Sequence, residues 1–145
     1  MSKLGTMEVK FAVLADYANI TREGKLNVLG IFDVINAQTF PVALPAFYVV
    51  VSYEAGAAEF GTEKNIEIVL CDEDGNALLR TRQVLRVVRP NRTGVLFTTN
   101  QIAGIVAFPF NQAGSYRFDI LVNGESKKEL LLQINEVKAK QQEVK

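Results

Sequence analysis

Apolar and polar residues alternate along much of this chain with a period of two. In the segment 115–122, the even positions from Tyr116 to Val122 are all aromatic or aliphatic, while most odd positions are polar. Successive side chains of a β-strand point to opposite faces of a sheet, so this pattern predicts a half-buried strand. The same reasoning predicts about eight strands and no long helix. The strand segments are 9–18, 26–35, 47–53, 62–71, 77–88, 95–98 with 101–108, 115–122 and 127–137.

Turn residues between the strands predict the register of two hairpins. The string Asp-Glu-Asp-Gly is a strong turn signal, and a two-residue turn at 74–75 places Glu67 opposite Arg82. The same register places Glu63 opposite Arg86. Both are opposite-charge pairs across neighbouring strands, so the charges support this register.

The last hairpin turns at the Asn-Gly pair 123–124. A two-residue turn there would place Phe118 opposite Glu129, whereas a three-residue turn places Phe118 opposite Leu130. A shift of one residue moves every side chain to the other face, so the apolar pattern decides the register. It favours the three-residue turn.

The first hairpin, residues 11–35, is apolar on both faces. Its two strands are joined by a short polar link, in which the turn is expected at 23–24. Antiparallel strands usually keep one polar face, so this hairpin either lies centrally, covered on both sides, or presents one face to another subunit. Gly30 interrupts the second strand and indicates a bulge or a close backbone approach.

The predicted fold is all-β, a two-sheet antiparallel β-sandwich of immunoglobulin type. The stretch 113–120, a glycine turn followed by an alternating aromatic strand, resembles the late strand of many immunoglobulin-like sandwiches, although the antibody cysteine pair and tryptophan are absent. Prolines in the segment 40–45 predict a crossing between sheets. We expect one domain over 1–145, with an ordered core at 8–137 and a polar tail at 138–145.

The composition of the chain limits the partners and the kinds of site that it is expected to have. The chain has 16 basic and 16 acidic residues, so it lacks the net field that would attract nucleic acid or a membrane, and self-association is permitted. It has no histidine and one cysteine, Cys71, which disfavours a zinc site and the commonest general base. Neither a signal peptide nor a membrane-spanning run is predicted, and a cytoplasmic location is expected.

Asp16 and Asp33 are the best candidate pair of carboxylates. A two-residue turn at 23–24 would place Asp16 diagonal to Asp33 on one face, and diagonal neighbours lie about 7 to 8 Å apart. Two carboxylates at that spacing can divide acid and base roles or hold a cation. Alternatively, each accepts hydrogen bonds from nearby backbone at a strand end. With Asn19, they define a candidate ligand or interaction surface.

Arginines are concentrated near one strand, where Arg80, Arg82 and Arg86 share a face. Such a face can follow phosphates, but sites for single-stranded nucleic acid usually add stacking aromatics, and this strand has none. Pairing with Glu63 and Glu67 would neutralise the face. We therefore expect a solvated, salt-bridged surface and no nucleic-acid partner.

The first hairpin carries the strings LADYA and GKLNVLGIFD, and later the chain has FP followed by GSYRF. In these motifs, and over residues 8–134, the sequence resembles an uncharacterised family of bacterial domains. The resemblance implies a cytoplasmic β-sandwich. It transfers no catalytic residue and no activity.

The leading functional hypothesis is a non-enzymatic interaction or structural module, whose partner is another protein or a second copy of itself. No cofactor or metal is expected. One alternative is a sandwich that binds a small molecule or carbohydrate near Asp16, Asn19 and Asp33. The weakest alternative is an enzyme that uses the pair Asp16 and Asp33.

Overall fold

A computed structural model describes residues 6–138, so the expected polar tail at 138–145 lies outside the described residues except for Lys138. Within this range the protein is all-β, with one 3₁₀ turn at Ala57–Glu59. The strands are β1 (Met7–Ile20), β2 (Leu26–Phe32), β3 (Val34–Ala37), β4 (Ala46–Ala55), β5 (Glu63–Cys71), β6 (Ala77–Arg86), β7 (Phe97–Val106), β8 (Gly114–Val122) and β9 (Glu125–Glu136).

The described strands form two sheets, as the alternating pattern predicts. Sheet A has the order β2-β1-β4-β7, and sheet B has the order β3-β9-β8-β5-β6. Neighbouring strands are antiparallel except for β3 and β9, which run parallel. The prediction of a two-sheet β-sandwich is confirmed, with this one parallel edge as a departure; the immunoglobulin type stays a prediction.

The main core lies between the sheets and is built from the inward-facing side chains of both. Phe47 of β4 meets Phe118 of β8 edge to face, with ring centroids 6.1 Å apart, and both side chains are buried. Such aromatic pairs add to the free energy gained by removing apolar surface from water. Tyr116 also closes the turn before β8, because its hydroxyl donates to the carbonyl of Gln112 at 2.6 Å.

The predicted single strand at 26–35 is wrong, since the chain changes sheet within it. β2 ends at Phe32 in sheet A, Asp33 bends, and β3 starts at Val34 in sheet B. The carbonyl of Asp33 accepts a hydrogen bond of 2.9 Å from the amide of Gln133 in β9, so the bend is fixed on the second sheet. The predicted return crossing at 40–45 is confirmed, because this segment leads from β3 to β4.

The polar residues at 98–101 do not divide the seventh strand, contrary to the two predicted segments. Gln101 is buried, but its side chain accepts a hydrogen bond from the hydroxyl of Tyr53, and Asn100 accepts one from Ser52. Because these partners lie on β4, the polar side chains are satisfied across the strand pair and β7 runs unbroken from Phe97 to Val106.

The predicted registers of the two later hairpins are confirmed, while both turns differ from prediction. Phe118 pairs with Leu130, but the turn at 123–124 has two residues with positive φ, 51° and 81°, typical of a type I′ hairpin. A bulge between Ile120 and Leu121 supplies the shift of one residue and makes Lys127 the extra residue of β9.

The acidic turn between β5 and β6 is longer than the predicted two residues. Glu67 pairs with Arg82 and Glu63 with Arg86 as expected, and the register then shifts between Leu70 and Cys71. The Asp72 carboxylate accepts hydrogen bonds from the turn amides, the closest from the amide of Asn76 at 2.9 Å. These bonds, led by that of Asn76, lower the pKa of Asp72 below its ordinary value of 3.8.

Candidate interaction surface

The first hairpin has a different register from the one that its turn predicted. Ile20 pairs with Leu26, so the link spans residues 21–25 rather than a two-residue turn at 23–24. Thr21 holds this loop, because its amide donates to the carbonyl of Lys25 at 2.8 Å and its hydroxyl accepts from the amide of Lys25 at 3.0 Å.

This register places Asp16 opposite Gly30, between the paired residues Ala15–Ile31 and Tyr17–Leu29. The Asp16 carboxyl carbon lies only 2.8 Å from where a Cβ at position 30 would sit, and Gly30 has φ +69°. The strand therefore needs glycine here for both space and conformation. Of the two predicted reasons for Gly30, the close approach is confirmed and the bulge is wrong, because the register of β1 with β2 is unbroken. Because the register differs by one residue, alternation no longer places Asp16 and Asp33 on one face.

The three predicted site residues lie at separate places on the hairpin. Asp16 lies over Gly30, Asn19 accepts a hydrogen bond of 3.0 Å from the Asn27 side chain, and Asp33 occupies the bend after β2. The structure does not bring them into one cluster. Their role as a ligand or interaction surface stays a prediction.

Asp33 lines a cleft of about 360 Å³ at the seam between the two sheets. Apolar residues such as Leu14 and Phe32 line it together with the charged residues Asp33, Lys128 and Glu129. Lys128 pairs with buried Ile120 across the sheet, yet its own side chain is exposed. The volume of the cleft falls within the usual range of small-molecule pockets.

The outer face of sheet A is an apolar surface that the other described strands leave uncovered. Residues that share a face follow from the pairing: Val13 lies beside Val50, which lies beside Ile102, and Ala15 lies beside Tyr48, which lies beside Gly104. We call this surface the apolar face. Its apolar members are Phe11, Val13, Ala15, Tyr17, Leu29, Ile31, Tyr48, Val50, Ile102 and Val106.

The apolar face has a closed centre and an exposed margin. Ala15 and Val50 are fully buried by their neighbours on this face, where they form a second apolar cluster separate from the main core. Ile31 is 59% exposed, Leu29 63% and Val106 71%. Leu29 and Ile31 lie on one edge strand and Val106 on the other, so exposed aliphatic side chains border the face on both sides. Such exposure on one sheet face indicates a surface that another molecule covers.

Polar groups on the apolar face are confined to its two ends, and Asn19 and Asn27 bond to each other at the end near the first loop. Ser52 and Asn100 bond to each other at the other end, and Glu54 follows in the next outward position of β4. None of the apolar members or their immediate neighbours Gly104, Ser52 and Asn100 carries a charge. Alternation therefore keeps charge out of the middle of the face.

The outer face of sheet B is charged instead. Glu67 receives a hydrogen bond of 2.7 Å from Arg80 and one of 3.1 Å from Arg82. These two hydrogen bonds lower the pKa of Glu67 below its ordinary value of 4.5. The predicted salt-bridged arginine surface is confirmed.

Lys127 joins the two sheets at their seam. As the bulge residue of β9, it places its ammonium 3.0 Å from Glu8 of β1 and 2.6 Å from Glu125, and its side chain is only 5% exposed. Burial lowers the pKa of Lys127, but the hydrogen bonds to Glu125 and Glu8 outweigh it, so the pKa lies above its ordinary value of 10.5.

Part of the apolar face was visible in the sequence and part was missed. The first hairpin was predicted to be apolar on both sides, and β1 is indeed central in sheet A, with one side in the main core. The contributions of Tyr48, Ile102 and Val106 were missed. The signal that could have revealed them was the run FYVVVSY at 47–53. It lacks the alternation of polar and apolar residues that is typical of a strand with one solvent-exposed face.

The part of the chain that the structure describes offers few groups for metal binding, thiol chemistry or membrane insertion. Among residues 6–138, no group of three or more His, Cys, Asp or Glu side chains is arranged to hold a metal ion. Cys71 is buried and free. No helix in this range is long and apolar enough to span a membrane.

The fold and surface define a two-sheet β-sandwich domain with one charged and one apolar outer face. A family model matches residues 10–135, and the chain belongs to that family, described as "Family of unknown function (DUF6941)". This agrees with the resemblance drawn from the hairpin motifs. A search of curated proteins by sequence found no significant match.

The solved structures that match this chain share little sequence with it. The alkylpurine DNA glycosylase AlkC of Pseudomonas fluorescens, bound to DNA containing an abasic site analog, is 11% identical with a TM-score of 0.46, and the match covers 92% of this chain and 31% of that one. A β-glucosidase of Listeria innocua in complex with gluconolactone is 8% identical with a TM-score of 0.49, covering 94% and 18%. The chain thus spans less than a third of either protein, and we assign neither activity to it.

Proposed function

We propose that this protein is an interaction module that binds a protein partner through the apolar face of sheet A. The observation that carries the proposal is the exposure of Leu29, Ile31 and Val106 on an uncharged sheet surface. A sheet with two apolar faces is stable in water when both are covered, and sheet B covers only one.

The size of the exposed side chains supports a protein partner rather than a small ligand. Removing apolar surface from water is worth about 25 cal/mol per Å², so a flat patch of several large side chains gains most from an equally flat, apolar counterpart. A small molecule is bound best in a concave site, and the cleft at Asp33 includes only Val13 and Ile31 of the apolar members.

We propose further that the module is non-catalytic and works in a reducing compartment such as the cytoplasm. The absence of histidine, and the register that separates Asp16 from Asp33, support the first part. The buried free thiol of Cys71 is compatible with the second.

The test compares two single substitutions at matched positions on opposite sheets. Ile31 lies on the edge strand β2 and is 59% exposed, and Val84 lies on the edge strand β6 and is 61% exposed. Wild type, Ile31→Glu and Val84→Glu are used as bait in cross-linking pull-downs from the source cell. We expect Ile31→Glu to lose the cross-linked partner and Val84→Glu to keep it. Equal retention by both variants would contradict the proposal.

The cleft at Asp33 favours a second candidate function, the binding of a small amphipathic molecule. Its wall offers apolar contact to Leu14 and Phe32, and its rim offers the ammonium of Lys128. A thermal-shift screen with carboxylates and sugars tests it, and Lys128→Ala serves as the control. A shift that is equal in both proteins would place the ligand elsewhere.

A further inference from the structure

We infer that the partner on the apolar face is a second copy of this chain, packed face to face about a twofold axis that reverses the strand direction. This inference rests on the proposed function, since it names the occupant of the same surface. A twofold interface uses one patch on both subunits, so the patch must be complementary to itself. Area, charge and shape each bear on that condition.

The outer face of sheet A, with its polar ends as well as the apolar face, is large enough for a dimer. Four strands about 4.8 Å apart, with an average length of roughly 30 Å, give a flat area of roughly 600 Å² per subunit. Two such faces bury about 1,200 Å², which reaches the lower end of stable protein interfaces. An apolar sheet face that meets another forms a layer about 10 Å thick, as in the interior of a sandwich.

Charge does not oppose self-association at the centre of the face. The rows through Val50 and Tyr48 contain only apolar residues and Gly104, so no like charges meet when the face packs on itself. The net charge of the whole chain is zero, so two copies approach without long-range repulsion. If the partner were a different protein, neither the uncharged rows nor the zero net charge of this chain would be needed for binding.

Shape at the centre also allows a close approach. The Tyr48 ring lies between Ala15 on one side and Gly104 on the other, and a Cβ at position 104 would lie 3.3 Å from the ring. The ring covers Gly104, and Ala15 is fully buried, so the centre of the face has no hollow that a side chain of the second copy must fill. Two such faces can pack as the inner faces of a sandwich do.

The charges at the two ends determine the orientation. Glu54 lies at one end of the face, opposite Glu8 of β1. Arg22 and Lys25 lie at the other end, in the loop after β1, where they outnumber Glu23. Both are exposed, and neither pairs with a carboxylate in the described part of the chain. Glu8 is already bound to Lys127, so Glu54 supplies the acidic charge of its end. A twofold axis that lies between the two faces, perpendicular to the strands, places the basic end of each copy over Glu54 of the other.

The first experiment measures the oligomeric state of the purified full chain by sedimentation velocity over a range of concentrations. We expect wild type and Val84→Glu to show the same monomer–dimer equilibrium. In Ile31→Glu, which carries the same added charge at the same exposure, we expect the dissociation constant to rise about 100-fold, because two carboxylates enter one apolar interface. Circular dichroism verifies that each variant is folded. A wild-type monomer at all concentrations, or equal dimers in all three proteins, would overturn the inference.

The second experiment tests the orientation with charges that lie outside the apolar rows. The double variant Arg22→Glu and Lys25→Glu is expected to weaken the dimer about 10-fold, because it places acidic residues over Glu54. Adding Glu54→Lys is expected to restore the wild-type constant. Weakening without restoration would mean that the two ends do not meet, and the reversed orientation would be wrong.

These results separate the inference from the proposed function on which it rests. If the purified chain is monomeric while Ile31→Glu still loses a cross-linked partner that Val84→Glu retains, a different protein covers the face. The interaction module then stands and the second copy is excluded. If the chain is monomeric and neither variant changes the cross-linking pattern, both proposals are wrong.

Discussion

The two outer faces of this sandwich share one arrangement, a buried valine at the centre of paired strands, but one face is apolar and the other is charged. Each has a valine at its centre that its own neighbours bury, Val50 in sheet A and Val69 in sheet B. Around Val69 the paired positions are Arg80 and Asp119, whereas around Val50 they are Val13 and Ile102. Strand pairing alone therefore does not decide whether the outer face of a sheet is stable in water. The outward-facing residues of each strand decide it.

The difference extends to the edges of the sheets. On β6 the exposed Val84 lies between Arg82 and Arg86, so water surrounds an isolated apolar side chain. On β2 the exposed Ile31 continues into Leu29 and Tyr17 without a charge between them on that face. Isolated apolar residues are common on soluble proteins, while contiguous ones indicate contact with another surface.

The largest expected effect comes from placing a charge at the centre of each face. We expect Val50→Asp to lower the free energy of unfolding by about 4 kcal/mol, because it buries a carboxylate among apolar neighbours. Val69→Asp is expected to cost about half as much, since the adjacent Arg80 supplies a cation and a path to water. Urea unfolding followed by circular dichroism measures both, and equal losses would show that the two faces are equally polar.

A second effect tests how the hairpin keeps Asp16 away from the apolar face. Gly30→Ala is expected to cost about 3 kcal/mol, because the new Cβ needs an unfavourable φ and collides with Asp16. Gly24 in the same hairpin has φ +87° with no heavy atom within 4 Å of a new Cβ, so Gly24→Ala isolates the conformational part, about 1 kcal/mol. If the two substitutions cost the same in thermal or urea unfolding, the contact with Asp16 has no energetic weight.

A third effect concerns the seam that joins the two sheets. Lys127→Met is expected to cost about 2 kcal/mol, below the usual cost of a broken buried ion pair, because Glu8 and Glu125 are 41% and 59% exposed and stay hydrated. The Lys127 pKa is raised, so its contribution is complete below pH 10.5 and is lost as pH rises through the pKa of the folded state. Unfolding measured from pH 8 upwards should therefore converge for the two proteins. A constant difference would contradict the ionic origin.

The smallest effect belongs to the charged face. The Glu67 pKa is lowered, so its contribution is present above pH 4.5 and is lost as pH falls through the pKa of the folded state. We expect Glu67→Gln to be slightly less stable than wild type at pH 7, and the two to converge in acid. High salt should reduce the difference at pH 7, since exposed ion pairs are screened. A difference that is unchanged by salt and pH would mean that Glu67 acts through packing.

The register of the strands was predictable where apolar residues alternate along a strand. It was less predictable where a single local contact sets the register. The register of Phe118 with Leu130 followed from apolar alternation, although the turn was assigned wrongly, because a bulge at Lys127 compensates for the shorter turn. The register of the first hairpin was missed, because it depends on hydrogen bonds of Thr21 to Lys25 that no repeating pattern reveals. The pairing of Asp16 with Asp33 was lost with it.

Most of the strands, the two-sheet class, the salt-bridged arginine face and the unusual apolarity of the first hairpin could be predicted from the sequence, since each follows from a period of two along the chain. Three features became visible only in the folded protein: the chain changes sheet at Asp33, β4 and β7 extend the apolar surface of β1, and no described residue covers that surface. These features depend on which strands become neighbours, and alternation along one strand carries no information about the strand beside it.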